Sequence, residues 1–129
     1  MIELLDDLPD GVIGFRAVGT VEASDYREVL TPAIDRALAE HGRLDFVIVI
    51  DDEFDRYSFG AMIEDAKLLR KPHSSWDRAA FVTNRDPFIG VGVVFGELVP
   101  GEFRVFSLDR LSDAIAWAAE GAATTPAVE

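Results

Sequence analysis

The chain has 129 residues, 49% of them hydrophobic, no cysteine, and a formal net charge of -12 from 24 acidic and 12 basic side chains. That length supports one domain whose core folds without a metal or crosslinks, and the lack of cysteine excludes disulfides, thiolate metal sites and a cysteine nucleophile. The acidic excess repels nucleic-acid phosphates and anionic lipid surfaces, so sequence-independent nucleic-acid binding is not expected.

Met1 to Asp7 carries acids where a signal peptide needs a basic start. No stretch reaches the ~20 apolar residues of a membrane span, and a soluble, cytoplasmic protein is expected. Met1 to Leu5 and Gly11 to Val18 read as paired strands, joined through a turn whose Pro9 and Gly11 suit it sterically. From Ala23 to His41, Tyr26, Val29, Leu30, Ala33, Ile34, Ala37 and Leu38 recur at helical spacing. Pro32 falls inside that pattern, without an amide donor and against the preceding turn. The expectation is a kink near Thr31, or two short helices with Pro32 opening the second; Gly42 is a natural stop.

Leu44 to Ile50 reads as a buried apolar strand, followed by an acidic loop, Asp51 to Asp55. A helix from about Arg56 to Leu69 is expected next, with Phe59, Met62, Ile63, Ala66 and Leu69 turned toward the sheet. Lys71 to Ser75 breaks the pattern, and Ala79 to Thr83 and Phe103 to Phe106 are short strands of the parallel kind, the second with Arg104 outward. The closing helix, Asp109 to Glu120, has Leu111, Ala114, Ile115 and Ala118 on one stripe and Asp109 at its favourable amino end. This order predicts a single α/β domain over residues 1–120: a mixed sheet of about five strands with helices packed mainly on one side. Residues 121–129 read as a flexible tail.

In open α/β sheets ligands gather where a strand delivers its end to the surface, which singles out the Asp51 to Ser58 region. Asp51, Glu53 and Asp55 are oxygen donors of the magnesium-binding type, yet no phosphate-binding lysine motif accompanies them, and they read as a solvated loop with no metal. The glycines at 90, 92 and 96 lack the context of a nucleotide fingerprint, so no cofactor is assigned. His41 and His73 have no triad partners at supporting spacing, and Trp76 and Trp117 are packing residues. No catalytic residue emerges, and the chain reads as non-enzymatic. The apolar run from Pro87 to Pro100, with its three glycines, has three readings: a buried helix, a flap over an apolar pocket lined by Phe88, Ile89, Val93 and Phe95, or a homodimer interface.

Gly19, Ser24-Asp-Tyr26, Leu30-Thr-Pro32, Ser58-Phe-Gly60 and Ala114-Ile-Ala-Trp117, taken in that order, resemble the SpoIIAA-like family. These are small bacterial proteins related to STAS domains and to the lipid-binding CRAL-TRIO fold. The resemblance covers roughly Met1 to Glu120 and implies two functions. One is the binding of a small apolar or lipid-like ligand between Phe88 to Phe95 and the helix of Ser58, Phe59 and Met62, with peripheral membrane contact. The other is a STAS-type switch for a protein partner, with Ser58 as phosphosite. Of the Asp-Ser-Ser-Gly-like motif of that class, Ser58 and Gly60 match, while a Tyr-Phe pair flanks the serine.

Overall fold

The computed structural model describes residues 1–68, 75–84 and 101–123. Its strands, β1 (Ile2–Leu4), β2 (Val12–Val21), β3 (Leu44–Tyr57), β4 (Trp76–Thr83) and β5 (Glu102–Phe106), form one sheet in sequence order. β1 runs antiparallel to β2, with Ile2 opposite Ala17, and the remaining neighbours are parallel. This is the expected mixed α/β sheet.

Alternation along the strands sorts the core into two layers. Phe15, Ala17, Leu44, Phe46, Ile50 and Ala79 point to one face, where Tyr26, Leu30, Ile34 and Ala37 cover them. Val12, Val47, Val49, Ala80 and Val82 point to the other, under Ala114, Trp117 and Ala118. The central β3 is apolar on both sides because both sides are covered.

The first helical run begins as α1 (Ala23–Asp25), widens into a π turn (Tyr26–Leu30) and continues as α2 (Thr31–His41) with Pro32 in its first turn. The irregularity thus lies just ahead of Pro32, where the missing donor and the ring would otherwise strain an α-helical ladder. Gly42 ends α2 in the left-handed region, at φ 76°, and its amide returns to the Leu38 carbonyl at 2.8 Å. α3 (Phe59–Leu68) packs beside α1 through Ala61 and Gly60, on the same face as α2. A short 3-10 turn (Leu108–Arg110) leads into α4 (Leu111–Ala123), which covers the opposite face and runs beyond Glu120.

Candidate functional site

Asp51 to Asp55 form strand, where a loop is expected from their charge. β4 stops pairing with β3 at Ile50, but β2 continues alongside it through the Val21 and Tyr57 pair, with register shifts around Gly19. Among the described residues the acidic half of β3 is therefore paired on one edge, with Asp52, Glu53 and Asp55 exposed and Asp51 half-buried. Cross-strand partners offset them: Arg16 lies 2.5 Å from Asp51 and 3.2 Å from Glu53, and the Thr20 hydroxyl donates to Asp55 at 3.3 Å.

Ser58 follows the end of this strand. Its amide donates to the Val21 carbonyl at 2.8 Å, its Oγ accepts from the Ala61 amide at 3.0 Å, and its carbonyl accepts from the Met62 amide at 3.1 Å. It is the N-cap of α3, satisfying an amide that the first helical turn leaves unpaired.

The orientation of α3 reverses the expected one. Phe59, Met62 and Ile63 were expected on the sheet, but they are 79%, 58% and 45% exposed, and Ala66 is exposed with them. The inward side carries Ala61 and Asp65, spaced by one helical turn. Tyr26, buried under the helix, donates its hydroxyl to Asp65 at 2.8 Å, and Glu64 pairs with Arg27 at 3.7 Å. Asp65 belongs to an exposed residue position whose carboxyl tip turns inward. Desolvation pushes that carboxyl up while the Tyr26 bond pulls it down, and the net shift is upward. Desolvation and the nearby Asp65 charge both push the Tyr26 and Tyr57 hydroxyls up, so these groups stay neutral donors. Polar contacts and the buried Ala61 thus hold the helix, and Phe59, Met62 and Ile63 are left facing out. Helical periodicity reveals a stripe without saying what the stripe faces.

Of the candidate residues, Ser58, Phe59 and Met62 come together on the amino-terminal half of α3; Phe88, Ile89, Val93, Phe95 and Leu69 lie outside the described residues. The sequence reading missed Tyr26 and Asp65 as a pair, because nothing in residue type or local spacing links positions so far apart. A cleft of about 330 Å³ lies elsewhere, between the β1–β2 turn and α2, lined by Leu4, Leu8, Ile13, Arg36, Ala37 and His41. It opens at the amino end of β2, away from Ser58. Among the described residues no three or more His, Asp or Glu side chains converge as a metal-ligand set, and no helix is long and apolar enough to cross a membrane.

Among known proteins, the chain is similar to an uncharacterised protein of the DUF3478 family with a SpoIIAA-like fold from Shewanella loihica PV-4. The two share 28% identity and superpose with a TM-score of 0.72, covering 91% of this chain and 93% of that one. No curated protein matches the chain. The SpoIIAA-like family model matches residues 12–119, from the start of β2 to the last helix. The chain belongs to the SpoIIAA-like family.

Proposed function

We propose that this chain is a non-enzymatic, cytoplasmic binding module that receives a small apolar or lipid-like molecule on the outer face of α3. The observation that supports the reading is the exposure of Phe59, Met62 and Ile63 together at the strand-end side of the sheet. Four acids of β3, Asp51, Asp52, Glu53 and Asp55, precede that face in the chain, and the net charge of -12 opposes contact with anionic bilayers. The expected ligand is therefore neutral or zwitterionic. Covering a large apolar side chain contributes about 1.5–3 kcal/mol, so Met62→Lys is expected to weaken binding of a neutral fluorescent acyl probe at least ~10-fold. Because Met62 is exposed, the folded fraction of that variant should not change. Equal affinity of wild type and variant, or no affinity in either, rejects the reading.

A second reading, a protein-interaction switch, is favoured by the position of Ser58 at the start of α3 and directly beside the same apolar face. A phosphate there gains from the helix dipole and loses to the carboxylates of Asp51, Asp52, Glu53 and Asp55. A kinase-treated sample that gains no phosphate at Ser58, together with unchanged partner binding by Ser58→Asp, removes it.

A further inference from the structure

At the amino-terminal edge of β3 and β4, under the last turn of α4, two carboxyl groups meet. Asp45 sits in the apolar run of β3 and is 2% exposed. Its Oδ1 accepts from the Arg78 amide at 3.3 Å. The β3–β4 register slips at this point: Leu44 lies opposite Trp76 but Asp45 lies opposite Arg78, so Asp77 is the extra residue of a bulge. The bulge sets the Asp77 carboxyl against that of Asp45. Asp77 Oδ2 is buried and receives no hydrogen bond from the described residues.

The surrounding cations pair with this site only in part. Arg43, just ahead of β3, holds its Nε at 3.7 Å from Asp45 and 3.8 Å from Asp77, too far for hydrogen bonds. Its Nη2 donates instead to the Gly121 and Ala122 carbonyls of α4, at 2.5 and 3.3 Å. Arg78 of β4 donates to the Trp117 carbonyl at 2.7 Å, lies over the Trp117 ring, and pairs with Glu102 of β5 at 3.2 Å and Glu120 of α4 at 3.5 Å. α4 closes on the pair at Gly121, where an added Cβ would stand 2.5 Å from Asp45 Oδ1 and 2.8 Å from Asp77 Oδ2. The Asp77 side chain is partly exposed, but its Oδ2 is buried and lacks a donor among the described residues.

A proton on Asp45 supplies that donor. We propose that Asp45 and Asp77 form a one-proton latch: the shared proton seats the carboxyl-terminal turn of α4 on the sheet, and its loss in mildly alkaline solution loosens that turn. Desolvation first, and then the facing Asp77, push the Asp45 carboxyl up to about 8, against opposing pulls from Arg43 and the Arg78 amide. Once both groups are ionised they repel each other across Gly121 and compete with the Gly121 and Ala122 carbonyls for Arg43. The helix end then loses its seat and its cap together.

The test is residue-specific amide exchange and carboxyl carbon NMR on the full chain. After correction for intrinsic exchange, protection of the amides from Ala119 to Ala122 is expected to fall about 10-fold or more between about pH 6.5 and pH 9, with α2 amides nearly unchanged. Asp45→Asn places an amide donor where the proton sits, so it is expected to keep the helix end protected at both pH values. Equal loss of protection in wild type and Asp45→Asn overturns the latch. The carboxyl signals of the wild type decide independently of how the variant folds. A proton retained by the pair at about pH 6.5 supports the proposal, and two fully ionised carboxylates there overturn it.

Discussion

Ser58 sets the start of α3 through a single atom, the Oγ that takes the Ala61 amide. Ser58→Ala is expected to cost about 0.5–2 kcal/mol in urea denaturation while leaving the apolar face in place, as a lost N-cap does. Gly121 is decided by contact distance. Its replacement by alanine brings about 0.5–1 kcal/mol of helix propensity, but the new Cβ meets carboxyl oxygens at 2.5 and 2.8 Å and Arg78 Cδ at 2.7 Å. Overpacking of this kind costs about 1–3 kcal/mol, so Gly121→Ala is expected to destabilise, measured by the same denaturation. At this scale the sequence was half legible. A serine ahead of a helical stripe reads as a cap, but Asp45 passes in the sequence as one position of the apolar run Leu44 to Ile50, and only the structure shows it buried and facing a partner. That partner, Asp77, is invisible in the sequence because a bulge in β4 brings it there.

Among the elements, the apolar strands, the hairpin, the break before Pro32 and the stop at Gly42 follow from residue type and period, and they form as read. The acidic part of β3 was misread because strand formation there depends on β2 as a neighbour, with Arg16 and Thr20 supplying cross-strand partners that local composition does not show. α3 was oriented wrongly because its stripe, Phe59, Met62, Ile63 and Ala66, would suit a core equally well. What holds the helix is its underside, and that can be tested. Tyr26→Phe deletes the hydroxyl that reaches Asp65 and is expected to cost about 1–3 kcal/mol by leaving the inward carboxyl short of a donor. The same change should raise the Asp65 pKa further, since the lost bond is the influence holding it down; carbon NMR of the Asp65 carboxyl measures both direction and size.

Over the whole molecule, the alternation of strands and helices was legible enough to give the mixed α/β sheet. The ordered motifs from Gly19 to Trp117 carried the resemblance to the family that its model match bears out, whereas the use of its surfaces depends on tertiary placement. The pH response belongs to this scale. A carboxyl with a raised native pKa keeps a proton in the folded chain that the unfolded chain has already released. Stability from the Asp45 and Asp77 pair is therefore fully present below the unfolded carboxyl range near ~4, declines as pH rises, and levels off above the native value. With Asp45 at about 8, wild-type stability should fall relative to Asp45→Asn across that window, at a limiting slope of about 1.4 kcal/mol per pH unit. Asp65, shifted the same way, remains in both proteins and cancels in the comparison; parallel curves would contradict the pair's role. The binding function rests on the apolar face of α3, and native mass spectrometry of protein purified from a bacterial host, followed by organic extraction, tests it most directly. A releasable neutral or zwitterionic apolar molecule near stoichiometric occupancy, absent from Met62→Lys, is the expected result. A clean ligand-free mass for the wild type, or a ligand retained equally by Met62→Lys, would contradict it.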